Sequence, residues 1–344
     1  MMSAGPGSAL RDAKAGSLQI AGSAVVLGAA RLGEGSLVAQ GAVIRSFGGG
    51  VEVGTGSAVI ENCVVVGHPE MSATIGRRTV FGHRCLVIGA SVGDLCEVGN
   101  ASVLMPGARL GDRVFLGEGT LVPPEMELPS GAVAVGRPAR VVRRASEDDF
   151  HRLTALRDGD LSLPPPTAVT VERPQEPTVD QLYAYRGIVP TIAASAALFP
   201  TAEITGDVAV GERTIIGAGV KIIGDSHGPV RIGDDVQILE NTVLHLLPDN
   251  DLVIDDGVII GPGSMIHGCR IGARSVVEPG AIVCDTSVIG AGCVVRAGAG
   301  VTQRSRFAAG AEIDGHPAAE IGHLAEPPPV PAWALRRDDF PVRA

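Results

Sequence analysis

The sequence predicts an all-β chain that folds as two tandem parallel β-helices joined by a Pro-rich linker with a short helix. Three observations predict it. An aliphatic residue recurs every six positions, glycine accompanies it, and the whole pattern occurs twice with the same interruptions. From Val253 to Val301 the aliphatics stand at Ile254, Ile260, Ile266, Ile271, Val277, Val283, Ile289, Val295 and Val301. Each step is six residues except the five between Ile266 and Ile271. A helix would repeat near 3.6 residues and a plain strand at 2. A six-residue repeat marks a coiled strand solenoid. One inward aliphatic per hexad fills the core. A neighbouring glycine, as at Gly261, Gly272 or Gly290, permits the tight corner.

The composition fits a narrow core. Of 344 residues 47 are glycine and only 3% are aromatic, so Val, Ile, Leu and Ala must fill the interior. The length allows two domains. A net charge of −10 argues against nucleic acid or an acidic membrane surface as partner. The six cysteines form no CxxC pair and several fall inside hexads, as small buried thiols of a reducing cytosol would. A cytoplasmic location is therefore expected. Residues 1–16 lack the apolar core of a signal peptide and read as a flexible tail. No run of 18 apolar residues predicts a membrane span.

The first β-helix is placed at residues 17–141. Its hexads run through Ile20, Val26, Leu32, Val38 and Ile44. The stretch RSFGGGVEVG then breaks the period, and Gly48, Gly49 and Gly50 predict a loop. Val53, Val59 and Val65 resume it, GHPEMSAT interrupts, and Ile75 to Val122 complete it, with a five-residue step from Val87 to Val92. Pro123 and Pro124 stop the ladder, since proline cannot donate to it. Residues 142–188 read as helix and linker: Ser146 as N-cap with acids in the first turn, then an extended Pro-rich spacer. The second β-helix is placed at residues 189–323, with loops at GDSHGPVR and LLPDNDLV. A Pro-rich tail, 324–344, is expected outside the solenoid.

The halves read as copies. Val53 matches Ile232, Phe81 matches Ile260 and Val92 matches Ile271, all 179 residues apart. The closing segments at 136–139 and 315–318, GRPA and GHPA, keep that offset. Upstream of the first loop the offset is 178, as for Ile44 and Ile222, so one residue was inserted there. A tandem duplication permits comparison position by position.

These residues resemble a known family. GPVRIGDDVQILENTVLH, VIDDGVIIGPGSMIHGCRIG and GHPA in the second half are similar to the γ-class carbonic anhydrases. So are TIGRRTVFGHRCLVIGASVGD and VAVGRPARVVR in the first, and the wider group is the hexapeptide-repeat proteins, acyltransferases included. The resemblance covers roughly residues 17–142 and 189–320. It implies left-handed triangular β-helices, a trimeric or pseudo-trimeric homo-oligomer, a small-molecule substrate, and zinc or another divalent metal between neighbouring prisms. Two of the family's histidines come from one prism and the third from the next.

Carried over one by one, the family's first ligand follows NTVL and is His245; the first half has Val66 there. The second follows the glycine of a GHxxxLHG segment; the first half keeps it as His83, the second has Pro262. The third ends that segment and is His267, against Ile88. Neither half holds three, yet the pair together does. The resemblance thus implies a composite site of His83, His245 and His267; the alternative is two eroded sites. The family's Arg and Asp map to Arg45 in the first half and Asp225 in the second, with Phe47 and Ile223 opposite them. Its water-orienting Gln is replaced in both halves, by Ile60 and Leu239, while the following acid persists as Glu61 and Glu240. Arg45, Asp225 and Glu240 are the implied catalytic residues. His68 and His227 read as loop residues. Three function classes stand: a zinc lyase acting on CO₂/bicarbonate or another small carbonyl compound, an acyl-CoA-dependent acyltransferase with a histidine base, and a non-catalytic assembly module.

Overall fold

The computed structural model describes residues 17–173, 181–225 and 228–336. The chain divides into two compact units after residue 174. Each is a parallel solenoid built from short strands.

In the second unit the strands stack into three parallel sheets of seven, seven and eight strands, the last closed by an antiparallel strand. The register explains the sequence period. Val277 pairs with Val295, eighteen residues on, so three hexads make one coil. Ile254 pairs with Ile271, seventeen on, because the five-residue step falls in that coil. Ile232 pairs with Ile254, twenty-two on, because the loop at 246–251 is inserted there. Alternate residues of each short strand point in and out. The inward set, including Ile260, Val277 and Val295, is fully buried. At the corners the coils touch: a Cβ on Gly261 would lie 2.7 Å from the Pro279 nitrogen.

The first unit has the same inward columns, for example Ile44–Val65–Val87–Leu104–Val122. Here two of the three faces merge into one sheet, because Val25–Gly33 and Val43–Val53 each run unbroken round a corner. The loop expected at RSFGGGVEVG is therefore a bulged strand. Gly48 and Gly49, at φ +69° and +86°, absorb the extra residues. Ser46 pins the bend by accepting from Val51 N–H at 3.0 Å and donating to Ala29 O at 2.5 Å.

Two segments expected to lie away from the core pack onto it. The helix Glu147–Leu156 forms as the sequence predicts, with Ser146 and Asp149 in a capping box. Its Leu153 is fully buried and Phe150 meets Phe115 edge-on at 6.2 Å. Arg157 donates to Arg78 O at 2.9 and 3.1 Å and pairs with Glu97, whose carboxyl is raised by burial against the pull of that guanidinium. The linker then returns as a strand, Ala168–Arg173, antiparallel to Val25–Gly33. A bare edge strand offers unpaired N–H and C=O groups, and the linker satisfies them. The C-terminal tail is also held: Trp333, Ala334 and Leu335 are buried, and the Gln237 amide exchanges two hydrogen bonds of 2.9 Å with the Leu335 backbone.

All six cysteines are free thiols, and all but Cys284 are buried. The sulfurs of Cys63, Cys85, Cys96 and Cys293 donate to carbonyls of the next coil, as Cys63 to Gly82 O at 3.0 Å and Cys85 to Gly99 O at 3.2 Å. Burial pushes the Cys96 thiol up to about 12.

Two outcomes follow. Val277→Asp places a charge where no partner exists, and should destabilise the second unit by more than about 4 kcal/mol in chemical denaturation; a loss under about 1 kcal/mol would contradict the core assignment. A thiol reagent at neutral pH should label Cys284 first in the native protein and the other five only on unfolding.

Candidate metal centre

In the second unit, Val243–His245 and Met265–His267 are neighbouring strands of one sheet, with His245 directly opposite His267. Leu244 and Ile266, one position earlier, point into the core and are fully buried. The alternation of a strand therefore turns both imidazoles outward, one above the other. Their ring centroids are 5.7 Å apart and the planes nearly perpendicular, at 85°.

Each imidazole faces a carboxylate. His245 Nε2 lies 3.7 Å from Asp225 Oδ2, and His267 Nδ1 lies 3.4 Å from Asp285 Oδ2. Both rings are 27% exposed. One ring nitrogen of each is thus directed at an acid. Asp225, named from the sequence by resemblance as the counterpart of Arg45, faces His245 within its own unit. Asp285 escaped the sequence reading; the signal was available, because the position 179 residues earlier is Pro106.

His83 stands at a corner of the first unit, just after the strand Val80–Phe81. Its backbone N–H donates to Asn100 Oδ1 at 2.6 Å, and its Nδ1 lies 3.0 Å from Glu61 Oε2. The ring is 48% exposed. In the first unit the column corresponding to the two histidines runs Leu27–Arg45–Val66–Ile88. Arg45 is its only charged member and is buried. Glu240 is also buried, at the corner after Gln237–Ile238, beside Leu239. His68 belongs to a tight turn bridged to Met71, where its Nδ1 accepts from Glu70 N–H at 3.3 Å. His227 lies outside the described residues.

Among the described residues neither unit alone gathers three His, Cys, Asp or Glu side chains as a metal set. The donor chemistry of His245 and His267 nonetheless suits zinc or a similar divalent ion. They are two neighbouring imidazoles, each facing a carboxylate of the kind that orients metal-binding histidines. They account for two of the about three protein donors a catalytic zinc site uses.

Relatives agree with the architecture. No family model matches the chain. A carbonic anhydrase of Geobacillus kaustophilus is 40% identical over 111 residues, 32% of this chain and 60% of that protein. The carnitine operon protein CaiE of Escherichia coli K12 is 31% identical over 115 residues, 33% of this chain and 58% of that protein. With its six-residue columns and parallel coils, the assignment is settled. The chain is a hexapeptide-repeat left-handed β-helix protein. A solved hexapeptide transferase family protein from Anaplasma phagocytophilum shares 30% identity over 43% of this chain and 87% of its own, at a TM-score of 0.41. The chain spans about three fifths of the length of the two curated relatives named above. Among the described residues of this hexapeptide-repeat protein no helix is long and apolar enough to cross a membrane.

Proposed function

We propose that this protein is a metal-dependent lyase of γ-carbonic-anhydrase type, acting on CO₂/bicarbonate or another small carbonyl compound. The observation that carries the reading is the adjacent pair His245–His267, each ring set against its own carboxylate. His83, held by Glu61, is the third donor, brought to the pair by packing of a first solenoid against a second within a homo-oligomer. Zinc at these residues would supply Lewis acidity. The chain's own groups do the rest. Asp225 orients His245. Arg45 is a buried guanidinium in the corresponding column of the first unit. Glu240 is a carboxyl held apart from solvent. Ile60 and Leu239 leave no amide to orient water, which favours a carbonyl substrate whose own groups fix the geometry.

A second reading has a specific observation behind it. A histidine steadied by an acid, as His267 is by Asp285, is also the arrangement of a general base, so an acyl transfer from acyl-CoA to a hydroxyl or amine is its competitor.

Metal analysis of the purified oligomer decides between them. About one zinc per chain is expected, and His83→Ala, His245→Ala or His267→Ala should each remove most of it, because two imidazoles alone bind weakly. CO₂ hydration should fall with the metal. A protein that carries no metal and consumes acetyl-CoA would instead establish the acyltransferase. A metal-free protein inactive in both assays would be an assembly module.

A further inference from the structure

We propose that Asp285 is a positioning residue for His267, fixing the ring as its Nδ1–H tautomer so that Nε2 presents a lone pair outward, and that Asn250 in the inserted loop holds Asp285 for this purpose. As applied to metal binding, the inference rests on the function proposed above.

The Asp285 side chain is 8% exposed. A carboxylate so enclosed must have partners, or its desolvation would be ruinous. Oδ1 has two: it accepts from Leu247 N–H at 3.2 Å and from Asn250 Nδ2 at 3.3 Å. Oδ2 faces His267 Nδ1 at 3.4 Å. The only complementary assignment gives Nδ1 the hydrogen. Asn250 is itself tied down: Nδ2 also donates to Gly268 O at 2.6 Å, next to the histidine, and Oδ1 accepts from Asp251 N–H at 2.9 Å. The loop thus reaches to a carboxylate one coil beyond His267 and clamps both.

The first unit supplies an internal control. Ile88 pairs with Val66 as His267 pairs with His245, so Ile88 holds the corresponding place. At the same 179-residue offset, Asp285 becomes Pro106 and Asn250 becomes Met71. The correspondence is spatial as well. A Cβ on Gly268 would lie 2.2 Å from Asn250 Nδ2, and a Cβ on Gly89 would lie 2.2 Å from Met71 Cγ. Two side chains fill one niche, polar in one unit and apolar in the other. Where the histidine is absent, the aspartate and the asparagine are absent with it. If Asp285 and Asn250 served only to close the coil, their loss need not accompany the loss of an outward ring. The fold itself plainly closes without them.

The test is Asp285→Asn, which keeps the shape. The introduced amide must keep its oxygen towards Leu247 N–H, and so turns its NH₂ towards His267. The ring is then driven to accept at Nδ1 and carry its proton on Nε2. Nitrogen NMR of the histidine rings in the metal-free full chain should show His267 as the Nδ1–H tautomer in the wild type and as Nε2–H in the variant. Zinc titration of the same samples should show binding on the order of 10–100-fold weaker in the variant. Asn250→Ala, which removes one donor and leaves the carboxylate, should give a smaller loss and retain the wild-type tautomer. A thermal melt of each variant guards against misfolding. An unchanged tautomer in a folded Asp285→Asn protein would overturn the inference, whatever the metal does. If the tautomer inverts while the wild type binds no zinc, the positioning role stands and the metal-dependent function fails.

Discussion

The closed coil register governs everything else. One inward aliphatic per hexad, three hexads per coil, fixes which residue lies above which. Ile260 rests on Val277 and Val277 on Val295, and none of these columns can slip by one residue without turning its core outward. The same rule that stacks the core stacks the surface. His245 and His267 meet because Leu244 and Ile266 do. A pair of histidines twenty-two residues apart in sequence is thus specified by hydrophobic packing on the opposite side of the strand.

The architecture was legible because the core signal is local and repeated. Each hexad states its own inward residue, and the five-residue step and the inserted loops appear as seventeen- and twenty-two-residue registers without disturbing the neighbouring columns. The helix was legible too, since Ser146 and Asp149 sit at capping-box spacing. The failures lie where partners are remote. Nothing in RSFGGGVEVG announces that glycines will bend a strand rather than end it. Pro-rich composition hid the strand Ala168–Arg173, although the alternating Val169 and Val171 hinted at a period of two. The C-terminal tail read as lying outside the solenoid because a residue that holds it, Gln237, stands far back in the chain.

The candidate site was half legible. Histidines could be placed by pattern, because their glycine and strand contexts are repeated in both halves. Their acids could not. Asp285 follows His267 by one full coil, and its role depends on a loop inserted between two other coils. Second partners of this sort are set by three-dimensional adjacency, and only the contrast between the two units, Asn250 against Met71 and Asp285 against Pro106, exposes them.

The linker strand has a further consequence, for how the first unit comes apart. A solenoid in which coils touch only their neighbours frays from its ends, one repeat at a time, like a zip. In this unit the segment that follows the last coil passes Arg78 and Glu97 in mid-solenoid and then lies along the first coil, from Gly33 to Gly28. The first coil cannot peel away without releasing a strand that leaves from the far end. Opening at one end is thereby charged with contacts made at the other. A nearest-neighbour array becomes a belted one, and its unfolding is drawn towards a single cooperative event rather than a progressive unwinding.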